Sequence, residues 1–217
     1  MEIFYITHAF SAYALSGILI ASFCLFIGIT LVAKKRPLLI SSRFFCAAIA
    51  LAILPDFIGN SIIMGPSEPG GFPFMTWANW FMFICVLAVF WIQAKGYLLI
   101  GIHDESFRKA LHFSLNKSNI RFEERLSKGS LSVVALTEEE AELHVNILSW
   151  ARWGQLKLNK SKDTQLLKKI ISGINDYNSS NKIKPSNIIA KSYIVMGVWM
   201  IVIATAFLVF CATLSEI

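Results

Sequence analysis

The sequence predicts a mainly helical membrane protein: four transmembrane helices, with one small cytoplasmic α+β domain inserted between the third and the fourth. Three observations lead there. Hydrophobic residues make up 55% of the 217 positions, and the mean hydropathy is +0.59, above the range of water-soluble globular chains. Four apolar runs reach the roughly 20 residues needed to cross a hydrocarbon core. Charge is segregated, with fifteen of the twenty Lys and Arg lying between Arg108 and Lys191.

The first run, residues 10–33, carries no charge at all. The second, 44–64, holds one, Asp56, and is interrupted by Pro55, Gly59 and Asn60. The third, 74–102, holds Lys95, and the fourth begins at about residue 189 beside Lys191. The expected division is therefore a membrane region over 1–102, a polar domain over 103–188, and a last span with a short tail over 189–217. Gly17 with Ala21, and Ala48 with Ala52, are small residues one turn apart, a spacing that lets helices approach closely.

Loop charge sets the expected orientation. Lys34, Lys35, Arg36 and Arg43 lie between the first two runs with no acid among them, whereas the breaker-rich stretch 65–73 holds Glu68 and no base. The excess of Lys and Arg belongs on the cytoplasmic side, so the expectation is a multi-pass cell-membrane protein, N- and C-termini outside, with 103–188 in the cytoplasm. The first nine residues carry no basic n-region of a signal peptide, and the pattern fits a bacterial inner membrane. Lys95 should snorkel at the cytoplasmic end of the third span, with Trp77, Trp80 and Tyr97 near its interfaces. The first loop is expected to be too short to fold.

The polar domain reads as α-β-β-β-α. Asp104 is placed as the N-cap of a helix carrying Phe107, Leu111 and Leu115 to about Asn116. Alternation then takes over: Ile120 and Phe122, the run 130–136, and Leu143, Val145 and Ile147 against His144 and Asn146, the period of half-buried strands. Glu138, Glu139 and Glu140 form an expected hairpin turn, and Leu156 and Leu158 alternate with Lys157. A second helix, capped at Asp163 or Thr164, has the stripe Leu166, Leu167, Ile170, Ile171, Ile174 and Tyr177. A polar linker is expected over 178–184. The packing implied is an antiparallel meander of three or four strands with both helices on one face.

Chemistry is harder to find. Cys24, Cys46, Cys85 and Cys211 all lie in apolar runs, with no C-x-x-C pair, so they read as small hydrophobes rather than a zinc or redox centre. No Gly-rich phosphate loop, G-x-S-x-G or H-E-x-x-H occurs, and no basic run interleaved with aromatics calls for nucleic acid. No catalytic residue, metal site or cofactor is assigned. His103, Arg108 and His112 read as a solvated helix face. One intramembrane polar site is assigned, Asp56 with Asn60, Asn79 and Ser11, because a carboxylate inside a bilayer is costly and demands partners. Trp150 and Trp153 flanking Arg152 form a candidate partner-binding patch, the residue types that dominate interface energetics. The expected function is a non-catalytic binding or regulatory component whose cytoplasmic domain contacts a protein partner. The alternative is a small oligomeric channel or transporter subunit built on Asp56. The lipid bilayer, and a protein partner or further copies of the chain, are the expected partners.

Overall fold

The computed structural model describes residues 2–63, 74–126, 131–137, 141–159, 164–181, 183 and 185–215. The chain divides into two compact units, Met1–Phe26 with Phe44–Ala94 and Tyr193–Ile217, and Ile27–Arg43 with Lys95–Ser192.

The first unit is helical. Its segments belong to α1 (Glu2–Lys34), α2 (Ser42–Ile63), α3 (Phe74–Gln93) and α6 (Asn187–Ser215). Among the described residues three stretches are long and apolar enough to cross a membrane, Ser11–Lys34, Ser42–Gly59 and Asn187–Thr213, while the apolar stretch Trp77–Gln93 of α3 is shorter. Small residues set the approach of α1 to α6. A Cβ added at Gly17 would meet Ala204, and one at Gly197 would come within 3.0 Å of the Ala21 carbonyl oxygen. The Gly17 and Ala21 step thus serves a contact within one chain. Aromatic rings join α2 to α3: Phe57 stacks on Phe83 at 4.4 Å and meets Trp80 edge-on at 4.9 Å. Cys24 and Cys211 are buried, Cys46 and Cys85 half-buried, and none is bridged.

The second unit is built on a six-stranded antiparallel sheet. Its strands are β1 (Leu38–Ser41), β2 (Tyr97–Ile100), β3 (Phe122–Leu126), β4 (Leu131–Leu136), β5 (Ala141–Leu148) and β6 (Trp153–Asn159), in the spatial order β1-β2-β6-β5-β4-β3. β3 to β6 form the expected meander. β6 then pairs with β2, Gly154 opposite Leu99, and β2 with β1, Leu99 opposite Leu39. α4 (Asp104–Lys117) carries the chain from β2 to β3 at the far edge, and α5 (Thr164–Ser180) follows β6.

Four expectations are corrected here. The third apolar run is helical only to Gln93, not to residue 102, and Tyr97 lies in a strand rather than at the end of a span. Gly96 is the reason: its φ of +119° is open to glycine and not to residues with a side chain, and a Cβ there would run into the Leu156 carbonyl. The first loop does fold, since Leu38–Ser41 gains a full register of partners from β2. The sheet therefore has six strands, and the unit reaches beyond 103–188 on both flanks. Residue 178 is not in a linker: α5 runs on to Ser180 and buries Asn178 at 2% exposure.

β5 shows why the meander forms. Ala141, Leu143, Val145 and Ile147 are buried, while Glu142, His144, Asn146 and Leu148 between them are half-buried. The buried set packs with Leu99, Val134, Leu136 and Leu156 beneath Phe107, Leu111 and Leu115 of α4 and Leu166, Ile170 and Ile174 of α5. Both helices thus cover one face, as the stripes require. They cross closely, because the Ser114 hydroxyl donates to the Ile170 carbonyl at 2.6 Å and Gly173 leaves room for Ser114, whose Cα a Cβ there would approach to 3.0 Å. Lys117 and Asp176 add an ion pair at 2.7 Å across the two helices. The N-cap of α4 is His103 rather than Asp104, with extended φ and ψ and no side-chain cap. Asp104 is the first helical residue and accepts from Arg108 at 3.1 Å.

Candidate functional site

Asp56 follows Pro55 on α2. Proline has no N–H and its ring disturbs the preceding turn. Here the Asp56 backbone N–H donates to the Ser16 hydroxyl of α1 at 3.1 Å. Ser16 is itself 2% exposed, so two helices share one buried polar contact. The Asp56 Oδ1 is buried and has no hydrogen-bond partner among the described residues. Ser11, five residues before Ser16 on α1, lines a groove of about 750 Å³ with Leu15, Pro55 and Gly59, a groove whose walls are apolar. Asn79 is exposed on α3 and has interactions of its own. Asn60 belongs to α2, and its side chain lies outside the described residues. The residue that sequence reasoning passed over is Ser16. Its signal was its place beside Gly17, on the small-residue side of α1 that packs inward.

In the sheet unit the tryptophan and arginine patch divides by role. Trp150, in the turn between β5 and β6, is 84% exposed. Arg152, in the same turn, takes a left-handed φ of 50°. Its carbonyl accepts from the Gly101 N–H at 3.0 Å and its guanidinium donates to the Ser186 hydroxyl. Ser186 in turn donates its N–H to the Gly101 carbonyl at 3.0 Å. Arg152 therefore ties the β5–β6 turn to the residue that precedes α6. Trp153 is half-buried in β6, opposite Leu148 on one side and Ile100 on the other.

Two histidines of this unit lie beside carboxylates. His112 Nε2 lies 2.9 Å from Glu124 Oε1, and its ring meets Phe122 edge-on at 5.2 Å. His144 Nε2 lies 3.5 Å from Glu142 Oε2 on the sheet face away from the helices. Lys109 donates to Glu105 at 2.7 Å. That hydrogen bond, with the opposite charge, holds the Glu105 carboxyl below its ordinary value and the Lys109 ammonium above its own. Residues 138–140 and 65–73, the expected acidic turn and outer loop, lie outside the described residues. Among the described residues no group of three or more His, Cys, Asp or Glu is placed to hold a metal ion.

The class these features define is an α+β sheet unit joined to apolar helices of membrane-spanning length. No family model, curated protein or solved structure matches the chain.

Proposed function

We propose that the chain is a multi-pass protein of a bacterial inner membrane, acting as a non-catalytic binding or regulatory component whose cytoplasmic sheet unit contacts a protein partner. Connectivity supports four crossings. α2 departs from β1 and the chain comes back through α3 to β2, strands that pair with each other. Whatever distance α2 travels, α3 must return, and its 20 residues make about 30 Å of helix. The basic residues Lys34, Lys35, Arg36 and Arg43 flank β1, in the same unit as β3 to β6. The positive-inside rule then assigns that whole unit to the cytoplasm.

The observation that carries the partner reading is the two-faced sheet. α4 and α5 seal one face, while Glu142, His144 and Asn146 of β5 and Gln155 and Lys157 of β6 form a half-exposed polar ladder on the other. Trp150 projects from the adjoining turn, a large apolar side chain of the kind that anchors interfaces. The test is photo-crosslinking in cells with the probe at Trp150 or Lys157, against Lys168 on the outer side of α5. Specific adducts from the first two positions and none from Lys168 are expected. Equal adducts from all three, or none, would sink the reading.

The channel or transporter reading rests on one observation, the buried Asp56 oxygen with no hydrogen-bond partner among the described residues. Asp56→Asn separates the two readings. It would abolish ion or proton flux in proteoliposomes under the transport reading, and leave crosslinking at Trp150 intact under the partner reading.

A further inference from the structure

The sheet unit carries a groove of about 780 Å³ whose polar lining is assembled from three places in the chain. Lys34, Lys35 and Arg36 come from the end of α1 and the turn after it, Asn178 from the last turn of α5, and Asn187 from the first turn of α6. Leu31 and Val32 supply an apolar wall. Among the described residues no carboxylate lines the groove, and three basic side chains do. Arg36 is held in place, with Nη1 donating to the Ser179 hydroxyl at 3.2 Å, and a guanidinium keeps further donors for a second acceptor. The N-terminal turn of a 29-residue helix adds its partial positive charge.

Asn178 is the second, independent observation. It is 2% exposed, it lines the groove, and its side-chain Oδ1 has no hydrogen-bond partner among the described residues. A buried polar atom without a partner is costly. Three bases call for an anion, but an anion alone leaves the Asn178 acceptor unsatisfied. An occupant that offers both a phosphate and a hydroxyl satisfies both.

We propose that this groove binds the headgroup of an anionic, hydroxyl-bearing phospholipid, with its phosphate on Lys34, Lys35 and Arg36 and a headgroup hydroxyl donating to Asn178. The lipid source is favoured over a free polyol phosphate by Leu31 and Val32, which belong to the apolar stretch Ser11–Lys34 and give the acyl end a wall to follow. The proposal rests on the reading that α1 crosses the bilayer with its basic end in the cytoplasm.

The test uses the full-length chain in detergent and native mass spectrometry with added phosphatidylglycerol, phosphatidylmethanol or phosphatidylcholine. The first two carry the same charge, but only phosphatidylglycerol has headgroup hydroxyls. Phosphatidylglycerol should be retained about tenfold over phosphatidylcholine, and phosphatidylmethanol should fall between. Lys34→Gln with Arg36→Gln should remove about tenfold of the phosphatidylglycerol retention, whereas Lys168→Gln with Lys169→Gln, the same charge loss elsewhere, should remove none. Asn178→Leu should bring phosphatidylglycerol and phosphatidylmethanol level. If that variant fails to fold, the two lipids on the unaltered chain still read the hydroxyl contact. Equal retention of phosphatidylglycerol and phosphatidylcholine would overturn the site, as would equal losses in the two charge variants. Parity of phosphatidylglycerol and phosphatidylmethanol on the unaltered chain would overturn the role of Asn178. Displacement of the lipid by an equal concentration of glycerol 3-phosphate would assign the groove to a free polyol phosphate instead. A chain that stays in water without detergent and enters no bilayer contradicts the membrane reading itself, a result distinct from these.

Discussion

On α4, α5 and the six strands, Phe107, Leu99, Ile100 and Ile170 are wholly buried, and among the large apolar side chains described there only Phe113 is exposed, with Trp150 in the β5–β6 turn. The helices of the other unit do the opposite, exposing Trp77 at 72%, Phe81 at 69% and Trp199 at 63%. The residue types are the same, and the proposed bilayer around these helices accounts for the difference. In water an apolar side chain is stabilised by roughly 25 cal/mol for each Å² it hides, so the sheet unit collects its apolar groups under two helices. In hydrocarbon that drive vanishes between helices and close packing replaces it. The helices proposed to cross the bilayer place small residues, Gly17, Ala21, Gly197 and Ala204, at their contacts and turn large ones outward.

The largest way to break this comparison is Gly96→Ala. It forces a positive φ on a residue with a side chain and drives a Cβ into the Leu156 carbonyl. A cost of about 3 kcal/mol or more is expected for strain and clash together, read as a lower melting temperature of the sheet unit and faster proteolysis near β6. Gly173→Val is next. It overfills the α4–α5 crossing against Ser114 and should cost about 2 kcal/mol, read in the same melt. Phe81→Ala sharpens the comparison from the other side. Phe81 is 69% exposed and loses little packing when shortened, so the change should stay under about 0.5 kcal/mol in a detergent denaturation titration. A large loss there would mean that α3 packs against protein at that position.

The smallest effect concerns Glu105 and Lys109. The carboxyl sits below its ordinary value because Lys109 donates to it and carries the opposite charge. Its stabilising contribution is therefore present above the ordinary carboxylate range and is lost as pH falls through the lowered value. The raised ammonium of Lys109 contributes below the ordinary lysine range and is lost as pH rises through its raised value. Both groups are exposed, so Glu105→Gln should leave the neutral melting temperature within error and slightly flatten only the acid limb of the pH–stability curve.

What the sequence revealed follows the range of the interactions involved. The α5 stripe of Leu166, Ile170 and Ile174 and the alternation of β5 are local patterns, and both were legible. β1 was not. Four residues between two apolar runs carry no periodicity of their own, and Leu38–Ser41 is a strand only because Tyr97–Ile100 supplies its partners. β2 was hidden differently: Leu98, Leu99 and Ile100 continue an apolar run, and hydropathy does not tell a buried strand from a span. Gly96 was the visible break. At the polar site, Asp56 was legible as a costly group, but its contact is Ser16 and not Ser11. Depth along a helix chose between the two serines, whereas rotation about its axis decides the contact.

The proposed topology, with the basic first loop and the sheet unit on the cytoplasmic side of a membrane crossed four times, can be read by one labelling measurement. The four native cysteines are replaced, and Trp150→Cys or Glu68→Cys is introduced singly. Each chain is then treated with a membrane-impermeant maleimide in intact cells and in inverted membrane vesicles. The position 150 cysteine should be labelled only in inverted vesicles and the position 68 cysteine only in intact cells. Labelling at position 150 in intact cells, or of both positions from the same side, would contradict it.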